Sequence, residues 1–142
     1  MVRGLSVLIA LGVIGAAAAE TLMGRVVSVS DGDTLTLLTA DRQRVKIRLA
    51  EIDAPEHDQP FGSRSQQSLS QLAFNRIAVV EARAHDDYGR TVGRVFVAGQ
   101  SLDAEQVQRG MAWVYRHYAT TPSLYTLEAE AKAARRGLWA DL

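Results

Sequence analysis

The sequence predicts a β-rich α+β fold, a five-stranded barrel with about three α-helices. Three observations predict it: three short apolar and β-branched runs early in the chain, two more after Arg76, and a polar helical segment between the two groups. The early runs are Val26, Val27 and Val29, then Leu35, Leu37 and Leu38, then Val45, Ile47 and Leu49. Asp31-Gly32 is a hairpin signal between the first two, and Ala40-Asp41-Arg42 turns the chain again, so the first half reads as a three-stranded meander. From Gly62 to Asn75 the apolar residues Leu69, Leu72 and Ala73 recur at helical spacing, in a segment opened by Ser63 or Ser65 and closed by Asn75. Ile77 to Ala82 and Thr91 to Val97 read as the remaining strands, joined by the charged loop His85 to Gly89. Ser101 is placed to cap a short helix carrying Leu102, Val107 and Met111, with Gly110 near its end. The last helix starts near Pro122-Ser123 and uses Leu124, Leu127, Ala131 and Ala134; Arg135, Arg136 and Gly137 suit its C-terminus. Five strands interrupted by a helix form the OB type of small barrel.

At 142 residues the chain suits one domain with its own core. Met1-Val2-Arg3 is a short basic start, Leu5 to Ile14 an apolar run, and Gly15 to Ala19 a stretch of small residues. This is the pattern of a secretory signal over residues 1–19, with an Ala17-x-Ala19 cleavage site before Glu20 and a single domain over 20–142. A permanent anchor wants ~20 apolar residues, and this run is shorter. The expectation is an exported protein, periplasmic or secreted, without a membrane anchor after cleavage.

Cysteine is absent, which excludes a disulfide framework and a lipoprotein tether. Sixteen basic residues balance sixteen acidic ones, so no polycation effect grips nucleic acid, and any such affinity is local. Lys46 and Lys132 are the only lysines; the remaining cations are Arg, whose planar fork matches oxyanions bidentately.

Three charged blocks carry chemistry: Ser30-Asp31-Gly32-Asp33-Thr34, Arg48-Leu49-Ala50-Glu51-Ile52-Asp53-Ala54-Pro55-Glu56, and Asp86-Asp87-Tyr88-Gly89-Arg90. They supply carboxylates for a hard cation and guanidiniums for a phosphate. Pro55 pushes Ala54 into an extended conformation, so Asp53 to Glu56 leaves its strand without becoming helix and can aim two carboxylates at one point. Asp33, beside a tight turn, can approach that point across the sheet. A calcium-like ion there takes Asp33, Asp53 and a backbone carbonyl such as that of Ala54, with Glu56 facing a bound water. Three carboxylates against a divalent cation leave one negative charge; Arg48 and Arg90 make the site positive by one. That sign matches the charge that develops as water attacks a phosphodiester.

Each block alone has a plainer reading. Asp31-Gly32-Asp33 is a hairpin turn, Arg48 a solvated strand residue or half of an ion pair with Glu51, Glu56 a surface acid, and Tyr88-Gly89-Arg90 a turn entering a strand. An EF-hand is excluded, because Leu35 stands where a third ligand belongs and Arg42 where the closing Glu belongs. His57, His85 and His117 lack zinc-pair spacing and read as surface residues, and Trp113 and Tyr115 as packing groups. The joint occurrence of the blocks, in order and each with suitable chemistry, favours one shared site.

In combination the three blocks resemble the motifs of the thermonuclease family, the staphylococcal nuclease-like proteins, from about Met23 to Trp139. The resemblance implies a calcium-dependent nuclease on an OB barrel that cuts DNA and RNA to leave 3′-phosphate ends. By motif, Arg48, Glu56 and Arg90 match its catalytic residues, Asp33, Asp53 and the Ala54 carbonyl its metal ligands, and Tyr88 and Tyr118 its substrate contacts. Departures concern grip. Asp87 stands where the type member has a phosphate-contacting Lys, Arg116 replaces an aromatic residue, and the loop from Glu56 to Phe61 is short and carries no Lys. Weaker substrate binding than the type member's is therefore expected.

Three functions compete. The first is an exported, calcium-dependent nuclease acting as a monomer on DNA and RNA without a stable protein partner. The second is a catalytically weak OB-fold nucleic-acid-binding module; such modules are expected to have lost one of Asp33, Arg48, Asp53, Glu56 or Arg90, and all five are present. The third is an exported interaction protein whose acidic cluster binds calcium for stability alone.

Overall fold

The computed structural model describes Glu20 to Asp141; the leader predicted over residues 1–19 lies outside the described residues. Along the chain run β1 (Glu20–Asp31), β2 (Thr34–Thr39), β3 (Arg44–Leu49), β4 (Ile52–Asp53), α1 (Gly62–Ala73), β5 (Ile77–His85), β6 (Thr91–Val97), β7 (Gln100–Ser101), α2 (Leu102–Gln108), β8 (Trp113–Val114), α3 (Ser123–Ala133) and a 3₁₀ turn at Gly137–Trp139. The long first strand is what lets the sheet close. Its first half, Glu20 to Arg25, pairs antiparallel with β5, and its second half, Gly24 to Asp31, pairs with β2. Register shifts between Val26 and Ser28 and between Val29 and Asp31 bend the strand as bulges do. The meander continues through β3, and β3 then pairs parallel with β6, closing β1, β2, β3, β6 and β5 into a five-stranded barrel of OB type.

Leu35, Leu37, Ile47, Leu49, Val80 and Val95 point into the barrel fully buried, and Leu69 of α1, Leu102 of α2 and Leu124 of α3 cap it. Each such side chain contributes ~1.5–3 kcal/mol relative to exposure. The predicted Ser101 cap is present: its hydroxyl accepts from the Ala104 N–H at 3.1 Å. Gly110 follows α2 in the left-handed region with φ 71°, and a Cβ there would strike the Arg136 carbonyl. The serines assigned to open α1 do something else. Phe61 precedes the helix without a side-chain cap, while buried Ser65 donates to the Met111 carbonyl at 2.6 Å. β5 also runs three residues past the predicted Ala82, because the strand continues through a bulge between Ala82 and Ala84.

Asp103, in the first turn of α2, is fully buried, and its carboxylate accepts from the Glu51 N–H at 3.1 Å. Burial pushes its pKa up to about 6, against the hydrogen bonds from Glu51 and Val95 that lower it. A raised carboxyl pKa means that between about 4 and about 6 the folded chain holds more protons than the unfolded one. This residue's contribution to stability therefore falls as pH rises through that window. Urea unfolding at pH 4, 5 and 6 is expected to show a smaller fall in Asp103→Asn than in the parent.

Candidate active site

The barrel closure builds the site. Parallel pairing sets Arg48 of β3 opposite Val92 of β6, and Arg90 lies two residues before Val92, so the two arginines share one face. Antiparallel pairing sets Thr34 opposite Arg48, which brings Asp33 to the same end of the barrel; the Leu49 N–H donates to the Asp33 carbonyl at 2.8 Å. The Gly32-Asp33 turn is fixed from below. Buried Gln106 of α2 donates to the carbonyls of Gly32 at 2.8 Å and Ser65 at 3.0 Å, and accepts from the Ser68 hydroxyl at 2.6 Å. Gly32 is required here because a Cβ would overlap the Ser65 side chain.

Arg48 joins the strand exit to the carboxylates. Its Nη1 donates to the Ile52 carbonyl at 2.7 Å and also to that of Leu49, and its Nη2 lies 3.4 Å from Asp33 and 3.7 Å from Asp53. Asp33 is buried and accepts from the Ala54 N–H at 2.9 Å. The plainer alternative, an ion pair of Arg48 with Glu51, does not form; Arg48 turns to Asp33 and Asp53, with its guanidinium 6.0 Å from the Tyr115 ring centre. Burial raises the Asp53 pKa, Arg48 lowers it and the charge of Asp33 raises it, with a net upward shift. Two carboxylates beside a backbone carbonyl form an all-oxygen donor set that suits a hard divalent cation. Among the described residues no group of three or more His, Asp or Glu side chains is placed to hold a metal, so such an ion would need Asp33, Asp53, the Ala54 carbonyl and water.

Arg90 is held by Asp86, whose Oδ2 accepts from its Nε at 2.6 Å and whose Oδ1 accepts from its backbone N–H at 2.9 Å. Burial pushes the Asp86 carboxyl up, but hydrogen bonds from the Arg90 N–H and side chain and from the Tyr88 N–H outweigh it and bring it below the usual range. Arg48, Arg90, Tyr88 and Tyr118 line one cleft of about 780 Å³. Glu56 does not line it. Its side chain is exposed on the segment after Pro55, and its backbone N–H donates to Gln59 at 2.9 Å.

Several cleft residues were not singled out by sequence. Tyr115 and His85 line it, although they read as a packing group and a surface residue, and Arg83 lines it too. Arg116 is turned away: it pairs with Glu128 at 3.2 Å and stacks on Tyr125. Glu51, 1% exposed, accepts from the N–H groups and hydroxyls of Thr120 and Thr121 at 2.7–3.1 Å, with Arg83 and Arg94 each at 3.5 Å. Burial raises its pKa, but these hydrogen bonds and Arg83 outweigh that and the group is lowered. It ties the turn after β3 to the loop that carries Tyr115 and Tyr118. The signal available in sequence was an acid between two apolar residues, Ala50 and Ile52, where a solvated one is out of place.

The family model described as staphylococcal nuclease homologue matches residues 46–141. The chain belongs to the staphylococcal nuclease family. It is 41% identical over 136 residues to an uncharacterized endonuclease of Haemophilus influenzae, covering 96% of this chain and 76% of that protein. It is 44% identical over 129 residues to a micrococcal nuclease of Shigella flexneri, covering 83% and 74%, and 41% identical over 152 residues to Protein ParB of Escherichia coli, covering 99% and 85%. The family match begins inside β3 of this nuclease-family chain, so Arg48, Asp53, Glu56 and Arg90 fall within it and Asp33 precedes it.

Proposed function

We propose that the protein is an exported, calcium-dependent nuclease that hydrolyses phosphodiester bonds of DNA and RNA as a monomer. The observation that carries this reading is the convergence of Arg48 and Arg90 on one cleft, with Asp33 and Asp53, outside its lining, 3.4 and 3.7 Å from the Arg48 Nη2. Arg48 and Arg90 hold the phosphate oxygens and stabilise the charge that grows on them as water attacks. Glu56, on its extended exit from β4, accepts the proton of that water transiently. The new bond is from water oxygen to phosphorus; the bond broken is from phosphorus to the 5′-oxygen, which leaves a 3′-phosphate and a 5′-hydroxyl. A calcium ion held by Asp33, Asp53 and the Ala54 carbonyl would supply Lewis-acid stabilisation and a more acidic water. Because water is the nucleophile, the reaction needs no 2′-hydroxyl, which supports action on both DNA and RNA. Tyr88 and Tyr118, both largely exposed beside the cleft, offer ring faces to bases, a contact worth ~1–3 kcal/mol per base.

The test is Glu56→Ala. Its side chain is exposed, so the variant is expected to keep the parent's melting temperature while cleavage falls by about 10²-fold or more. Full activity in the variant would assign the proton elsewhere and sink this role; tight binding of DNA by the parent without turnover would favour a binding module.

A further inference from the structure

We propose that Arg83 is a second phosphate-binding residue of the cleft, taking the backbone phosphate next to the one that reacts. The proposal rests on the nucleic-acid reading above. Arg83 is the extra residue of the β5 bulge: Ala82 pairs with Gly93 and Ala84 with Val92, and Arg83 has no partner on β6. A bulge re-aims a side chain, and this one places Arg83 in the lining of the cleft that holds Arg48 and Arg90. The guanidinium is pre-positioned, because Nη2 lies 3.5 Å from the buried Glu51 carboxylate and donates to the Thr120 hydroxyl at 3.2 Å. Both contacts use Nη2, which leaves Nη1 and Nε for a ligand. The side chain is 32% exposed, so a phosphate can reach it.

Charge points the same way. The single charge of Glu51 is shared between Arg83 and Arg94, and it already accepts four N–H and hydroxyl donors from Thr120 and Thr121. Of the acids in the cleft lining, Asp86 is taken by Arg90. Arg48 pairs with Asp33 and Asp53, so of the three cleft arginines Arg83 is the one whose carboxylate partner is shared with a second guanidinium. Arg94 provides an internal control. It shares Glu51 with Arg83 but lies outside the cleft lining, stacked on Phe96 and paired with Glu81.

The experiment measures binding of a single-stranded oligonucleotide in chelator by fluorescence anisotropy across a salt series, for the parent, Arg83→Gln, Arg83→Lys and Arg94→Gln. One lost phosphate contact reduces the slope of log affinity against log salt by about 0.7 on single strands. That reduction is expected for Arg83→Gln, with the parent slope kept by Arg83→Lys and Arg94→Gln. A parent slope in Arg83→Gln, or equal losses in Arg83→Gln and Arg94→Gln, would overturn the proposal. Should Arg83→Gln not fold, phenylglyoxal modification of the parent answers the same question: the oligonucleotide should slow reaction at Arg83 and leave Arg94 unchanged, and unchanged rates at both overturn it. If the parent cleaves nucleic acid in calcium while Arg83 fails these tests, only this proposal falls. If the folded parent neither binds nor cleaves, the nuclease reading falls with it.

Discussion

Arg48→Ala is expected to lower phosphodiester cleavage by about 10²–10³-fold, the usual cost of removing one donor aimed at developing charge in a reacting site. The residue also has a structural part, since Nη1 donates to the carbonyls of Leu49 and Ile52 at the exit from β3. Loss of those bonds leaves two carbonyls to find water and frees the Asp53 segment, so the Ala variant should melt lower as well. Arg48→Lys separates the two effects. A lysine keeps a positive charge beside Asp33 and Asp53 but presents no planar fork, so it cannot hold two carbonyls and a phosphate at once. Its expected profile is a melting temperature nearer the parent's with cleavage still depressed at least tenfold. Cleavage in Arg48→Lys equal to the parent's, read as kcat/KM on single-stranded DNA, would show that charge alone suffices.

Glu51→Ala is expected to be the most damaging single change to stability, costing about 3–5 kcal/mol, as for removal of one partner of a buried ion pair. For a chain of this size that corresponds to a fall in melting temperature of roughly 10–20 °C. The carboxylate is enclosed, and its loss takes a counter-ion from two guanidiniums and the acceptor from the Thr120 and Thr121 N–H groups. The Arg94 Nε that faces Glu51 at 3.5 Å is buried and makes no hydrogen bond, so without Glu51 the only compensation is the Glu81 carboxylate 3.5 Å from Nη1. Glu51→Gln keeps the shape and one acceptor oxygen, and should cost less than the Ala variant. Urea denaturation of the three proteins checks the order; a Gln variant as unstable as the Ala variant would mean that the charge matters more than the hydrogen bonds.

The parts of the fold legible in sequence are those whose signal is local. β1, β2, β3, β5 and β6 each bury alternate or continuous apolar residues over six or more positions, long enough for periodicity to show. β4, β7 and β8 are two residues each, set by their pairing across the chain, as Ile52 with Val114 and Asp53 with Trp113, and carry no period of their own. The site divides in the same way. Asp33, Arg48, Asp53 and Arg90 stand at strand ends beside turn residues, where a charged side chain has no packing reason to be, and the barrel register brings them together. Glu51 and Arg83 were hidden because their partners are distant: Thr120 and Thr121 lie 69 and 70 residues from Glu51, and the bulge that aims Arg83 is a property of its pairing with β6. Tyr115 could not be distinguished from a core aromatic until β8 and the Tyr115 N–H bond to the Glu51 carbonyl, 2.8 Å, fixed its loop against the turn.

The most direct measurement is the conversion of supercoiled plasmid by the purified protein in calcium and in chelator, with folding checked by circular dichroism. Nicking and linearisation in calcium, abolished by chelator, is the predicted result; a folded protein that leaves plasmid and single-stranded DNA uncut in calcium would contradict it.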